Sequence, residues 1–468
     1  MSSHRFLAVG VVLFGSLTAA VFVTAVGPAA AVEADARLHS SANAAGQLRT
    51  FNVNGAIDPD NAFFQDIGTN GRRCVTCHQP QEAWSITPPG IQARFAETGG
   101  GDPIFSNNDG SNCEGTTPHS LAEQRDAYSL LLTRGLVRVG LDVPSGAEFV
   151  IERVADPYNC PPGTNDVSVY RRPLPSTNLP FLSAVMWDGR ESSASSSILE
   201  DLARQANDAT RGHAAATRDL THDEVQQIVD FETGLFTAQG VDAQGASLQG
   251  HRGRGGPIAL AGQPFFIGIN DPVGLNPSGA AFDSNVFTIF DAWRGLPASA
   301  VDPVSETRRA IVRGQQIFNT RPFTISRVAG LNAETFATGV TVPSSFTGTC
   351  TICHDTPNAG NHSVKAPLDI GLADPSVAPY LPVYTLLNIR TGDRVDTTDP
   401  GRALITGKWR DIGKFKGPIL RALAARAPYF HNGSAETLEA VVDFYNTRFD
   451  LKLGAGEKAD LVAFLRAL

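Results

Sequence analysis

The sequence has few cysteines, few methionines and no excess of positive charge. Six cysteines in 468 residues are too few for a disulfide scaffold, so the spacing of each one has to be considered separately. The net charge of −9 would repel a polyanion, so we expect no nucleic-acid partner. Apolar residues make up 42% and charged residues 18%, which excludes a disordered chain and one embedded wholly in a membrane. The length fits about three domains of ~150 residues, or two larger ones.

The first 31 residues have the pattern of a targeting segment. Arg5 precedes an apolar stretch that runs from Phe6 to Gly27, and the small residues Ala29 and Ala31 fit a cleavage site. We therefore predict a signal peptide over residues 1–31 and export of the rest of the chain. An uncleaved membrane anchor is the alternative, because the apolar stretch is long enough to span a bilayer.

Two pentapeptides carry the strongest chemical signal. Residues 74–78 are Cys-Val-Thr-Cys-His and residues 350–354 are Cys-Thr-Ile-Cys-His, which is the attachment pattern of c-type haem. Two thiols on one turn can each bond a vinyl group of the same porphyrin, and the next histidine can then bind the iron. A redox dithiol or a zinc site is the alternative. A histidine directly after both pairs, in an exported chain, favours two covalently bound haem c groups. The attachment residues are then Cys74, Cys77, Cys350 and Cys353, and the axial ligands are His78 and His354.

The two remaining cysteines, Cys113 and Cys160, belong to neither pentapeptide. They flank a polar stretch that is rich in glycine and proline. An oxidising compartment favours a disulfide between them, and two free buried thiols are the alternative.

Helical spacing of apolar residues is the main pattern in the rest of the chain. Capping residues and this spacing predict helices that begin near Thr221, Ser305, Ser434 and Glu457, whereas strand-like alternation is weak. Residues 238–303 are rich in glycine, proline and alanine and are predicted to be a long loop. The fold class that follows is mainly α, with two cytochrome c-type haem domains and long loop insertions.

Three further blocks accompany the haem motifs. Residues 185–190 are Val-Met-Trp-Asp-Gly-Arg, residues 416–421 are Lys-Gly-Pro-Ile-Leu-Arg, and residues 427–434 are Ala-Pro-Tyr-Phe-His-Asn-Gly-Ser. With these blocks and both haem motifs, the chain from about residue 45 onward resembles the bacterial di-haem cytochrome c peroxidase and MauG family. The resemblance implies a peroxidatic domain over residues 32–302 and an electron-transfer domain over residues 303–468.

The same resemblance implies roles for two residues of the 185–190 block. Trp187 matches the family's tryptophan between the haems, which relays electrons, and Arg190 would lie near haem propionates. Without the family, core packing at a turn explains the tryptophan equally well. The family often holds a calcium ion between its domains through backbone carbonyls, and the matching positions are Arg426 and Pro428.

The distal ligand of the second haem is predicted to be a tyrosine. At this position the family has methionine in the peroxidases and tyrosine in the MauG branch, and here the position falls on Tyr445. The sequence has no methionine after Met186, so a methionine ligand in the second domain is excluded. The alternative is a core tyrosine whose hydroxyl is bonded to the backbone.

The distal side of the first haem departs from the family pattern. Gln205 matches the family's L-x-x-Q-A block, but Ala214 and Ala215 stand near the place of the family's distal glutamate. The neighbouring His213 has three interpretations. It is a proton shuttle, since an imidazole changes charge near neutral pH; a second axial ligand; or a surface residue.

The resemblance favours a periplasmic oxidoreductase that reduces hydrogen peroxide with electrons from a small donor cytochrome or cupredoxin, and it suggests a homodimer. One alternative is MauG-like oxidation of a protein or organic substrate at a distance. The other is a non-enzymatic electron carrier with both irons fully ligated.

Overall fold

The computed structural model describes residues 36–193, 195–244 and 246–468. The predicted signal peptide over residues 1–31 lies outside this part of the chain. Within it, every helix is either too short or too polar to cross a bilayer.

Helices of one to five turns occur along most of the described chain. Their bounds are α1 Cys74–Cys77, α2 Pro88–Thr98, α3 Leu121–Ala127, α4 Ser129–Arg134, α5 Ile198–His213, α6 His222–Gly234, α7 Pro257–Ala261, α8 Pro303–Thr320, α9 Ala403–Thr406, α10 Leu438–Arg448 and α11 Ala455–Arg466.

Short strands lie between the helices. Their bounds are β1 Leu38–Asn43, β2 Gly46–Asn52, β3 Val137–Leu141, β4 Phe149–Ala155, β5 Val167–Arg171, β6 Leu235–Asp242, β7 Phe323–Ser326, β8 Ser345–Gly348, β9 Val383–Asn388 and β10 Arg394–Thr397.

The prediction of a mainly α fold is wrong. The protein has 31% helix and 16% strand, and its described strands form four small sheets, so the fold is mixed α and β. The strand orders are β1-β2-β6, β10-β9-β4, β3-β5 and β7-β8. The strands were not predicted from the sequence because several of them pair with strands that are far away in the chain. β4, for example, pairs antiparallel with β9, with Phe149 opposite Asn388.

The region predicted as a long loop also contains regular structure. β6 ends inside it, and α7 packs against β6 and β2. β4 precedes and β9 follows the proposed domain boundary at residues 302 and 303, so one sheet joins the two halves of the chain. The boundary itself stays a prediction.

The predicted helices exist, but two of them start at other caps. The capping box of Thr221 and Glu224 is confirmed. α8 is capped by Asp302, which accepts from the backbone of Ser305, so the helix begins one turn before the predicted serine. α10 is capped by Thr437, because Ser434 belongs to a turn in which its N–H donates to Asn432 Oδ1 at 3.2 Å.

The largest apolar core lies where α8, α10 and α11 meet. Phe287, Phe290, Trp293 and Phe464 are fully buried there. α8 and α11 approach so closely that a Cβ atom at Gly314 would lie 2.0 Å from the carbonyl oxygen of Asp460. The second haem motif packs against this core, because the ring of Phe318 on α8 contacts the ring of His354, with 5.7 Å between centroids.

The predicted disulfide is confirmed. Cys113 and Cys160 are bonded, with their Cα atoms 5.2 Å apart. The bond closes a polar excursion of 47 residues that follows the first haem motif. The cross-link restricts the unfolded chain more than the folded one. It therefore stabilises the folded form by roughly 2–4 kcal/mol.

Candidate functional site

The first haem motif forms a single helical turn with its histidine at the end. Cys74 and Cys77 lie on α1, and the N–H of His78 donates to the carbonyl of Cys74 at 3.0 Å. Nδ1 of His78 lies 3.0 Å from the carbonyl oxygen of the buried Trp84. A bond from Nδ1–H to that carbonyl leaves Nε2 free to bind a metal, which is the usual arrangement around a metal-binding histidine.

The second motif repeats this arrangement on a 3-10 turn. Cys350 begins the turn, and His354 Nδ1 lies 2.7 Å from the carbonyl oxygen of Gly360. The two histidines, 276 residues apart in sequence, are therefore oriented in the same way. Each also lines a cavity of its own.

Burial sets the charge of the attachment residues. It lowers the pKa of His78 to about 4 and also lowers the pKa of His354, so both imidazoles are neutral, the form that binds iron. It raises the pKa of Cys74, Cys350 and Cys353 to about 12 each. These three thiols and that of Cys77 are unpaired in the structure, as attachment to a porphyrin requires.

Each motif lines an internal cavity. The first cavity, next to Cys74, Cys77 and His78, has a volume of about 180 Å³. The second cavity, next to Cys350, Cys353 and His354, has a volume of about 220 Å³. Voids in protein cores seldom exceed one water molecule. Two cavities of this size beside thiols and histidines fit planar apolar cofactors.

The two cavities share one wall. Arg172, Trp187, Lys416, Pro418 and Arg426 line both of them. The Trp187 indole is held in this wall because Nε1 donates to the carbonyl of Arg172 at 2.8 Å, and Lys416 N donates to the carbonyl of Trp187 at 2.9 Å. An aromatic ring therefore stands between the predicted cofactors, as the relay role of Trp187 requires. The role itself stays a prediction.

Three buried cations at or beside the shared wall form no ion pair with an acidic side chain of the described residues. Burial lowers the pKa of Lys416 to about 7, that of Arg421 to about 9 and that of Arg426 to about 10. In the described part of the chain, Nη2 of Arg421 and Nε of Arg426 lack a hydrogen-bond partner. A buried cation is costly unless an anion compensates it. The propionates of two haems would supply that charge, so the residues present fit the cofactor.

Arg190 also lines the first cavity, as expected of a residue near propionates. It is tied to Asp188, with Nη1 3.2 Å from Oδ2. Asp188 in turn pairs with Arg171, which also binds Asp399 at 2.7 Å. These buried ion pairs fix the turn that carries Trp187.

Tyr445 lies on α10 and lines the second cavity together with His354. Burial raises the pKa of its hydroxyl. Its ring stacks on Phe449 at 6.2 Å, and no described residue forms a hydrogen bond with its hydroxyl. The alternative of a core tyrosine bonded to the backbone is therefore not supported by its surroundings, while iron ligation stays a prediction.

Gln205 and His213 lie on the face of α5 that lines the first cavity. The His213 side chain is 42% exposed, and its Nδ1 forms a hydrogen bond with Asp109. Their chemical roles stay predictions. Calcium also stays a prediction, since no three acidic, histidine or cysteine side chains in the described residues form a metal-binding group and carbonyl ligands would leave no such trace.

Sequence reasoning missed several residues of these cavities. Asp109 and Arg72 line the first cavity, as does Glu232, whose pKa is raised by burial to about 7. Lys416 and Arg421 belong to the block 416–421, which supported the family resemblance. The sequence analysis did not predict that their charges would face haem propionates. The usable signal was a lysine and an arginine in the stretch 412–435, which contains no acidic residue.

Comparisons with known proteins find relatives of one kind. Cytochrome-c peroxidase IdrP1 of Pseudomonas sp. (strain SCT) is 33% identical over 139 residues, which are 25% of this chain and 36% of the relative. Cytochrome-c peroxidase IdrP2 of Denitromonas iodatirespirans is 46% identical over 78 residues, 15% of this chain and 21% of the relative. Cytochrome c551 peroxidase of Nitrosomonas europaea is 37% identical over 76 residues, 16% of this chain and 23% of the relative.

The matches cover only part of each protein: the chain spans between about a fifth and about a third of the length of these curated relatives, 21% to 36%. No family model matches the chain. A MauG-like protein associated with microbial copper homeostasis has a solved structure with a TM-score of 0.38 and 17% identity, covering 87% of this chain and 86% of that one. A likeness at that level carries no argument. The curated relatives are cytochrome-c peroxidases, and they confirm the resemblance to such peroxidases that the sequence motifs indicated.

Proposed function

We propose that this protein is a di-haem peroxidase that reduces hydrogen peroxide at the first cavity with electrons that enter through the second. The observation that carries the proposal is the shared wall: Trp187 lines both cavities, and each cavity contains a histidine with its Nδ1 bonded to a backbone carbonyl. Two iron sites separated by one aromatic side chain suit transfer of electrons between them. The curated relatives, which are cytochrome-c peroxidases, support the same activity.

The overall reaction sets the tasks of the protein. One hydrogen peroxide takes two electrons and two protons and gives two waters. Haem iron bound to His78 would supply the redox chemistry of this step. The protein has to hold peroxide in the first cavity, deliver protons to its oxygens and keep bulk water away.

Two side chains of α5 are suited to the proton and binding tasks. The Gln205 amide offers donors and acceptors to a small polar molecule. His213 can accept a proton from one peroxide oxygen and return it to the other, which then leaves as water. Its partial exposure connects the cavity with solvent, from which the protons come.

We further propose two haems per chain, a periplasmic location after removal of the signal peptide, and a small donor cytochrome or cupredoxin. The net charge of −9 suits a basic donor, whose association would weaken as salt rises. A homodimer and a calcium ion near the carbonyls of Arg426 and Pro428 rest on the family resemblance.

Electron paramagnetic resonance tests the proposal. In the resting protein we expect one high-spin ferric haem, since an open site is needed for peroxide, and a second haem with a different spectrum. One equivalent of hydrogen peroxide should change the spectrum within the mixing time, and a reduced small cytochrome should then be oxidised catalytically. A wholly low-spin spectrum that peroxide leaves unchanged would instead indicate an electron carrier.

A second candidate function is MauG-like oxidation of a protein or organic substrate. Tyr445 favours it, because a phenolate ligand stabilises the higher oxidation states of iron. A protein of this kind would react with peroxide but would turn over poorly with a reduced cytochrome. The steady-state assay therefore separates the two.

Replacing Tyr445 with phenylalanine should alter the spectrum of one haem only. Loss of an oxygen ligand changes the field at the iron of the second cavity, whereas the first cavity does not contain Tyr445. The matched control is Tyr429→Phe, because the Tyr429 hydroxyl also belongs to the second cavity but already donates to the carbonyl of Leu423 at 2.8 Å. An unchanged spectrum in Tyr445→Phe would exclude ligation.

A further inference from the structure

We propose that Asp109 is a positioning residue that orients His213 for proton transfer in the first cavity. The inference rests on the proposed peroxidase function. It also gives a task to the loop between α2 and α3, which leads to the disulfide at Cys113.

The first observation is a buried carboxylate on the ring of His213. Asp109 is 7% exposed, and its Oδ2 forms a hydrogen bond with Nδ1 of His213. Its Oδ1 accepts from Nη1 of Arg72, which is also buried. All three residues line the cavity that contains His78. The carboxylate is therefore bound on both oxygens and is not free to turn away.

The second observation is that the backbone of His213 is held by the same segments. Its carbonyl accepts from Nδ2 of Asn70 at 2.8 Å and from Nη1 of Arg72 at 3.2 Å. The carbonyl of Gly212 accepts from Nδ2 of Asn108 at 2.7 Å. The carbonyls at the end of a helix normally bond to water or to a glycine turn. Here side chains from two loops bind them, which fixes where α5 ends and where the imidazole stands.

The third observation is the anchoring of Asp109 itself. Its carbonyl accepts from Arg138 N at 2.8 Å, and Arg72 donates to the carbonyls of Pro103 and Ile104 at 2.8 and 2.6 Å. The disulfide at Cys113 begins four residues later in the chain. The loop between α2 and α3 thus presents a carboxylate at a fixed place beside the first haem motif.

These contacts determine what His213 can do. With Nδ1–H donated to Asp109, Nε2 keeps its lone pair and can accept a proton from peroxide. The adjacent carboxylate and the negative end of α5 both stabilise the imidazolium that forms. Burial alone would raise the pKa of Asp109, but His213 and Arg72 outweigh it and lower that pKa, so the carboxylate is ionised. The proton moves from one peroxide oxygen to Nε2 and then to the other oxygen, which leaves as water when the O–O bond breaks. The haems would supply the two electrons, and two protons from solvent complete the second water.

The test is the rate at which stoichiometric hydrogen peroxide changes the haem spectrum of the purified two-haem protein. Asp109→Asn should slow this reaction by about 10- to 100-fold, part of the usual effect of acid–base catalysis. His213→Gln should be at least as slow, and the double variant should be no slower than His213→Gln alone, because Asp109 acts through His213. Asp109→Glu, which keeps a carboxylate, should recover most of the rate.

The matched control is Asp102→Asn, a change in the same loop that removes the ion pair with Arg94 at 2.6 Å without touching His213. It should react like the unaltered protein. Should Asp109→Asn fail to hold two haems, Asp109→Ser removes the carboxylate without placing an amide donor against Arg72. The inference is overturned if the unaltered protein reacts with peroxide and the Asp109 variants react equally fast, or if His213→Gln converts a low-spin first haem to high-spin, which would make His213 a ligand. No reaction in the unaltered protein would instead overturn the proposed function.

Discussion

Replacing Cys350 and Cys353 with alanine should leave one covalent haem per chain and abolish steady-state peroxide turnover. The reason is that the second cavity then has no thioether attachment, and electrons from a donor lose their entry to Trp187 and the first cavity. Replacing Cys74 and Cys77 should also remove one haem, but the one that remains should be the haem beside Tyr445. The measurement is the pyridine haemochrome absorbance per chain, together with oxidation of a reduced cytochrome.

The two double variants differ in what they retain. Protein without the second haem should still change its spectrum with one equivalent of peroxide, whereas protein without the first should not. Replacement of Cys113 and Cys160 with serine is the control, since these cysteines are bonded to each other and should leave the haem content unchanged. Two haems per chain in either of the first two variants would show that the motifs do not attach the cofactor.

Replacing Arg171 with leucine should lower the free energy of unfolding by about 3–5 kcal/mol, the usual cost of breaking a buried ion pair. Arg171 is buried between Asp188 and Asp399, and all three side chains are at most 3% exposed. Without the guanidinium, two carboxylates remain in the interior with much of their charge uncompensated. Guanidinium-induced unfolding of the haem-loaded protein, followed by circular dichroism, measures the effect.

The control for this variant is an exposed ion pair. Arg394 is 56% exposed and binds Glu152 at 2.6 Å, so Arg394→Leu should lower the free energy of unfolding far less than Arg171→Leu, because water screens the pair. An acid titration gives a second readout. Burial alone would raise the pKa of Asp188, but Arg171 and Arg190 outweigh burial and lower that pKa to about 2. The resulting stability is present above the unfolded pKa of about 4 and is lost as pH falls toward 2. Equal losses in the two variants would contradict the role given to Arg171.

The parts of the site that lie close together in sequence were predictable. Each haem motif spans five residues, and the structure places Gln205, Trp187 and Tyr445 on the cavities to which the family resemblance had assigned them. Such patterns can be recognised in the sequence because one helical turn or one helix face fixes their geometry locally. They predict which residues line the cavities better than they predict the fold around those cavities.

The parts that depend on distant contacts were not predictable. Asp109 meets His213 across 104 residues, and its segment offers only a polar run between glycines. The strands were missed for the same reason, since β4 and β9 acquire their pairing from each other and not from a strong alternation of their own. The sequence analysis considered only the carbonyl of Arg426. That its side chain lines both cavities became visible only in the structure.

The bond between Cys113 and Cys160 has a consequence for biogenesis. If each motif attaches a haem, as proposed, two sulfurs of one polypeptide are oxidised to each other while the other four stay reduced until a porphyrin reaches them. Cys77 and Cys113 are separated by a short stretch of chain, so a mispaired bond between them is an accessible dead end during maturation. Cells that make this protein therefore need oxidising and reducing thiol chemistry side by side, and poor yields of coloured protein in a heterologous host should be traced first to the order in which these sulfurs react.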